Sequence, residues 1–262
     1  MVSRERVLLK MAILFVASEA FELKPLGQRL TGCRPLKWPL DYAEEGVWQG
    51  RRFLLAANGA GPKLASRCVE VALRATSMAE LSASKLEAVV STGICGALDP
   101  AVHERDILVA SKILAVDDGT EFDCRSIDCD TPYTQGAIAS TNHVACSSNE
   151  KKELAQTSAI AVEMEAAGVG QRTATAGLPF CCVKVVTDIF DEELVMDFNR
   201  MRTTDGRFSR GKIVSYALTH PGVMPRLFQL KRRSEDAAGA LGAFLASCRF
   251  QFSELPAGDP RQ

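Results

Sequence analysis

Seven short apolar runs, separated by stretches of helical periodicity or turn residues, constrain this chain more than any other feature. They are residues 12–17 (AILFVA), 52–57 (RFLLAA), 87–92 (EAVVST), the run from 106 (DILVASKILAV), 136–141 (GAIAST), 159–164 (AIAVEM) and 180–188 (FCCVKVVTD). A strand exposed on one face alternates apolar with polar residues. These runs are too continuous for that, and they read as strands covered on both faces by helices. Between them, residues 63–78 carry Leu64, Cys68, Val71, Ala72 and Ala75 at helical spacing behind Gly61-Pro62, a proline position that a first turn tolerates. Residues 164–176 are rich in alanine and stop at Gly177-Leu178-Pro179, a C-terminal signal. The alternation predicts an α/β fold.

Residues 117–132 (DDGTEFDCRSIDCDTP) have no apolar periodicity and read as a loop. The segment 221–248 reads as one or two helices, with Leu227, Leu230, Ala237, Leu241 and Leu245 roughly on one face. No repeat, low-complexity tract or Ser/Gly/Pro-rich linker divides the 262 residues, and α/β folds of roughly 200 to 250 residues commonly form one unit. A single domain over 1–262 is expected, with 221–250 as a C-terminal helical segment. Arg4, Arg6 and Lys10 before MAILFVA mimic the opening of a signal peptide. The apolar stretch is short and runs straight into Ser18-Glu19, so a buried first strand is the preferred reading; residues 1–10 are then a tail, or Met11 is the natural start. No run approaches the roughly 18 apolar residues that span a bilayer.

With 31 basic and 32 acidic residues the net charge is −1, and the interspersed signs give none of the one-sided basic field that nucleic acid or an anionic membrane selects. A small uncharged or mixed-charge ligand is the expected partner. The nine cysteines are scattered and odd in number, and Cys181-Cys182 lies within an apolar run. That usage suits a reducing compartment, hence a cytoplasmic location. Cys124 and Cys129 are separated by a four-residue spacer and lie far in sequence from His103, His143 and His220. No metal site is expected, and the cysteines read as small hydrophobes.

Ligands of open α/β sheets bind at the carboxyl ends of strands, and four clusters lie there. Ser18-Glu19-Ala20-Phe21-Glu22 follows the first run; its carboxylates are equally explained as helix-start residues favoured by the dipole. Asn58-Gly59-Ala60-Gly61 lets backbone N–H groups approach a ligand, though it lacks both the P-loop ending and the dinucleotide spacing, and a tight turn explains it as well. The small residues of Ser91-Thr92-Gly93-Ile94-Cys95-Gly96-Ala97-Leu98-Asp99-Pro100 suit close approach to a ligand or close packing alike. The fourth cluster pairs Ala161-Val162-Glu163-Met164-Glu165-Ala166 with Val185-Val186-Thr187-Asp188. Carboxylates as deep in apolar sequence as Glu165 and Asp188 are costly unless paired or hydrogen-bonded, which favours a functional role.

VEMEA with a VTD strand end, preceded by NGAG and STGICGALDP, resembles the nucleoside phosphorylase and nucleosidase superfamily, especially the methylthioadenosine/adenosylhomocysteine nucleosidases, over most of residues 12–191 in the same order. VEMEA is the specific motif; each glycine turn is weak alone. FNRMRTTDGRFSR and GICGALDPAV add a narrower likeness to the hopanoid-associated branch, thought to act on an adenosylated lipid precursor. The resemblance implies a three-layer αβα sandwich around a mixed, mostly parallel sheet, a homodimer or higher homo-oligomer, and neither metal nor organic cofactor, with inorganic phosphate as co-substrate if the reaction is phosphorolytic. It implies that Glu165 binds the ribose hydroxyls, Met164 packs on the sugar, Asp188 delivers a proton to purine N7, and Glu22 activates the attacking water with Glu19 as the reserve. Glu163, Ser91, Thr92, Gly93, Asn58, Gly59 and Val144 complete the expected ligand contacts.

Protonating the leaving purine lowers the barrier, an effect of about 100- to 10,000-fold for a general acid, and burial is expected to keep Asp188 protonated. Cationic character on the ribose is stabilised by an ionised Glu165. Two departures stand out. Ser91 and Ile94 occupy the places where phosphorolytic relatives put an arginine and a serine, which favours hydrolysis, with Arg51, Arg52 or Arg67 left to reach a phosphate from elsewhere. The base-stacking aromatic is not evident, and His143 or Val144 stands in its place. A phosphorylase, and a binding protein that has lost turnover, are the competing readings.

Overall fold

The computed structural model describes residues 11–77, 85–250 and 252; the charged residues before Met11, and Met78, lie outside them. The first strand, β1 (Met11–Ala17), sets the layering. Ala12, Leu14 and Val16 point into one core with Ala65, Cys68, Val69, Ala166 and Val169. Ile13, Phe15 and Ala17 point into another with Leu23, Leu26, Ala237, Leu241 and Leu245. Because the residues of a strand alternate between faces, a run apolar at every position needs cover on both. Helices α2 (Pro62–Ser77) and α4 (Ala166–Ala176) supply it on one side, α1 (Ala20–Gly27) and α6 (Met224–Ser247) on the other. The result is a three-layer αβα arrangement around a mixed sheet.

Beside β1 lie β4 (Arg51–Ala57) and β5 (Lys85–Ala97), both parallel to it. Beyond β4 come β3 (Tyr42–Trp48) and then β2 (Thr31–Pro35), antiparallel. On the other side, β5 pairs in parallel with β10 (Phe180–Asp188) and antiparallel with β9 (Ala161–Glu163). Strands β6 (Ile107–Ala115) and β8 (Thr134–Ser140) complete the circuit, β10 to β6 to β8 to β9 and back to β5. This half of the sheet therefore closes on itself, and the ends of β5, β9 and β10 meet.

Several elements differ from the sequence reading. Strand β5 runs on to Ala97, five residues past the expected end at Thr92, because β9 and β10 keep pairing with its glycine-containing tail. The expected loop 117–132 contains a short strand, β7 (Glu121–Asp123), held by β6. Strand β3 went unread because Glu44-Glu45-Gly46 interrupts its apolar character. Glu45 is nonetheless buried, ion-paired with Arg34 and Arg52. The polar helix α3 (Ser148–Ala155) and the short helix α5 (Arg210–Thr219) also lie outside the expected elements. The C-terminal segment is a short 3₁₀ turn, Pro221–Val223, followed by α6. Ala237, Leu241 and Leu245 are buried as expected, while Leu227 and Leu230 are only half-buried. Among the described residues no helix is long and apolar enough to cross a membrane.

Candidate active site

The chain leaves β1 and enters α1 through Ser18-Glu19, and Glu22 turns back over this first turn. Its Oε2 accepts hydrogen bonds from the Glu19 backbone N–H (2.7 Å) and from Ser18 Oγ (2.8 Å). Its Oε1 accepts from the Ile94 N–H at 2.9 Å. The carboxylate thus satisfies the helix start, as half of a capping box does, and is tied to β5 as well. Gly93 makes room for it. Its φ is +122°, and a β-carbon there would collide with Glu22 Oε1.

At the turn from β9 into α4, the Glu163 carboxylate accepts from the Glu165 N–H (2.9 Å) and the Ala166 N–H (3.0 Å), closing the helix N-terminus. Lys184, in the middle of the wholly buried β10, places its ammonium 2.7 Å from Glu163 and 3.4 Å from Glu165, and donates to Thr92 O at 3.1 Å. Glu165 Oε1 accepts from the Gly61 N–H at 3.1 Å, so the NGAG turn meets the VEMEA turn through this carboxylate. Burial pushes the Glu165 carboxyl up to about 7; Lys184 pulls it back, and the charges of Glu163 and Glu22 push it further up. For Lys184 burial favours the neutral amine, but the two carboxylates outweigh it and hold the ammonium well above the ordinary lysine range.

Asp188 ends β10. Its Oδ1 accepts from Thr187 Oγ1 at 3.0 Å, and its Oδ2 lies 2.6 Å from Lys151 Nζ. Lys151 projects from α3 and is 0% exposed; it also donates to Ile189 O (2.8 Å) and Glu192 O (3.2 Å). A β-carbon on Gly96 would stand 2.6 Å from Asp188 Oδ2. The glycines of GICG therefore leave space for two carboxylates, Gly93 for Glu22 and Gly96 for Asp188. Asp188 is buried, as expected, but with a counter-ion. The expectation of an isolated buried acid is amended: Asp188 faces the site paired with Lys151.

Glu22, Glu163, Met164, Glu165, Asp188 and Val144 line one cavity of about 290 Å³. Ile94, Cys95, Gly96, Leu194, Phe198, Phe208, Ile213 and Leu230 also contribute to its wall. Glu19, Asn58, Gly59, Ser91, Thr92 and Gly93 do not. The strand extension explains the β5 group: Ser91 and Thr92 lie inside the sheet, paired with Val16, Cys182 and Val183, and the strand's true end is what reaches the cavity. On the second turn Gly59 N–H is used by Ser18 O at 2.8 Å and Asn58 Oδ1 by Arg207 at 3.0 Å, leaving Ala60 and Gly61 at the site. His143 and Val144, the residues expected where a base-stacking aromatic is missing, both line the cavity, and Phe198 and Phe208 from later in the chain join them. Phe198 and Phe208 stand edge to face at 6.2 Å, and Asn199 clamps their segment to Val144 by hydrogen bonds to its N–H (2.8 Å) and carbonyl (2.9 Å).

Among the described residues no arginine lines the cavity. Arg51 pairs with Glu87 and Arg52 with Glu45. Arg67 faces a larger surface groove of about 850 Å³ between α2, α4 and Trp38, which none of the cavity carboxylates lines. Among the described residues no group of three His, Cys, Asp or Glu side chains is arranged to hold a metal ion. Lys184 and Lys151 escaped the sequence reading for different reasons. A lysine within FCCVKVVTD is a visible signal of a buried partner, whereas Lys151, in NEKKEL, looks like any exposed helix lysine.

The model of the phosphorylase superfamily matches residues 12–133 and 122–209. No curated protein matches the chain in sequence. Among solved structures it is similar to the 5'-methylthioadenosine/S-adenosylhomocysteine nucleosidase from Neisseria meningitidis in complex with methylthio-immucillin-A. The two share 17% identity with a TM-score of 0.67, over 90% of this chain and 97% of that one. It is similar to S-adenosylhomocysteine nucleosidase from Streptococcus pyogenes in complex with 5-methylthiotubericidin (16%, TM-score 0.67, 91% and 95%). It is also similar to futalosine hydrolase of Helicobacter pylori (17%, TM-score 0.65, 91% and 97%). At these identities the likeness establishes the fold.

Proposed function

Since the chain belongs to the phosphorylase superfamily, a family of enzymes acting on nucleosides, we propose that it hydrolyses the N-glycosidic bond of an adenosine-type nucleoside. The observation that carries this reading is the convergence of Glu165 and Asp188, from separate segments, on one cavity with Glu22 on its wall. Glu165, ionised, holds the ribose hydroxyls and faces the positive charge that grows on the sugar as the bond breaks. Met164 packs on the ribose and Phe198 or Phe208 on the base.

Asp188 faces the heterocycle. The proton that the leaving purine takes at N7 passes through its carboxyl, and the Lys151 ammonium, already bonded to Oδ2, replaces it. The proton thus belongs to the pair, and the amine recovers it from water after the base departs. Glu22, rather than Glu19, accepts a proton from the attacking water in this reading, which is supported by Glu22 alone of the two lining the cavity. That no described arginine lines the cavity supports water over phosphate as the nucleophile.

The test is base release from methylthioadenosine, adenosylhomocysteine and inosine, with and without phosphate. Adenine released without phosphate, and faster than hypoxanthine, is expected. Strict phosphate dependence with ribose 1-phosphate as product would make the protein a phosphorylase; tight binding without cleavage would make it a binding protein.

A further inference from the structure

The chain's near-neutral charge conceals one strongly cationic segment. Residues 207–233 contain seven arginines and lysines and no aspartate or glutamate, in a protein with 31 basic and 32 acidic residues. Arg210, Lys212, Arg226, Lys231 and Arg232 in it are exposed, and of these five only Lys231 lies within ion-pair distance of a carboxylate among the described residues, Glu235 at 3.6 Å. The same segment exposes apolar side chains. Six large hydrophobic residues are exposed among the described residues, and four of them are Val214 (57%), Leu218 (77%), Met224 (37%) and Phe228 (64%). Val214 and Leu218 are four residues apart on α5, Met224 and Phe228 four apart on α6, so each pair shares a helix face.

We propose that this surface, α5 with the first half of α6, docks on an anionic lipid bilayer. Exposed aliphatic and aromatic side chains next to unpaired cations are what an interfacial segment presents to a membrane: the apolar groups enter the acyl boundary while the cations meet headgroup phosphates. Nucleic acid would engage the cations but leave Leu218 and Phe228 with nothing to gain. A second copy docked about a two-fold axis would set this patch against itself, cation against cation. Phe208, Ile213 and Leu230, from the same stretch, line the carboxylate cavity, so docking brings the cavity to the bilayer surface. The inference does not depend on the hydrolytic reading, because binding is measured without substrate.

The experiment is flotation of the full chain with vesicles of phosphatidylcholine alone or mixed with phosphatidylglycerol. Co-flotation with the anionic vesicles only, weakened by salt, is expected. Leu218→Glu with Phe228→Glu, and separately Lys231→Glu with Arg232→Glu, should each weaken it at least tenfold while leaving cleavage of a soluble nucleoside unchanged. No binding to anionic vesicles, or binding that both double variants retain, overturns the proposal. A vesicle-free oligomer that Leu218→Glu dissociates would assign the surface to a second copy. Retention on duplex DNA that survives Leu218→Glu with Phe228→Glu but is lost in the charge variant, without vesicle binding, would assign it to nucleic acid. Either result overturns the proposal.

Discussion

Lys151 Nζ lies 2.6 Å from Asp188 Oδ2, a cation from a polar helix placed against the carboxylate that closes β10, a strand buried at every position. If Asp188 carries the proton to the base, Asp188→Asn removes turnover by about 100- to 10,000-fold while a substrate analogue still binds. Lys151 acts through Asp188, so Lys151→Met should lower kcat with KM nearly unchanged. Lys151→Arg, which keeps the cation, should recover part of the rate, as a lysine serving only packing would not require. Steady-state kinetics of these variants checks this.

Burial raises the Glu165 carboxyl from its ordinary 4.5 to about 7, and the proposed chemistry needs it ionised. The expected kcat/KM therefore falls on the acid side with a midpoint near 7, and Glu165→Gln loses both rate and that limb. The stability effect has the opposite direction. A carboxyl whose folded value is raised favours the fold fully below about 4.5, and this contribution is lost as pH rises through about 7. Wild type should therefore lose stability relative to Glu165→Gln across that window, as urea unfolding at several pH values would show.

Lys184 bridges Glu163 and Glu165 with all three side chains buried. Replacing it by methionine keeps the volume but leaves two carboxylates without a cation. Removing one partner of a buried pair typically costs about 3–5 kcal/mol. Lys184→Met should show a loss of that order in urea unfolding, while Lys112→Met, at an exposed pair with Glu121, should lie within about 1 kcal/mol of wild type. Equal stability of the two variants would deny the bridge its structural role.

Much of this architecture was legible because buried strands announce themselves: residues 12–17 and 180–188 read as strands by continuity alone, and helix α4 ends where Gly177 stops it. The carboxylates were legible for a related reason, since a charge in an apolar run needs explaining. What escaped depends on pairing across the sheet. Nothing local says that β5 passes Thr92, since its last residues are held by β9 and β10, and so Ser91 and Thr92 were placed at a strand end they do not occupy. Glu45 hid β3 because its arginine partners are remote. The basic segment 207–233 escaped because overall charge averages over it.

Gly96 offers the most selective probe of the site. Its φ lies outside the left-handed region, so alanine is tolerated by the backbone, yet the added β-carbon would stand 2.6 Å from Asp188 Oδ2. The carboxylate must then rotate away from the base, Lys151 or both. A displacement near 1 Å at a reacting group can cost on the order of 100-fold in rate, so Gly96→Ala should lower kcat by about that factor while remaining folded. Gly93→Ala is the contrast. With φ at +122° and Glu22 in the way, it carries backbone strain as well and should lose stability together with activity. Paired unfolding curves and kcat values separate the two, and a Gly96→Ala protein of normal rate would mean that the orientation of Asp188 is not what sets the chemistry.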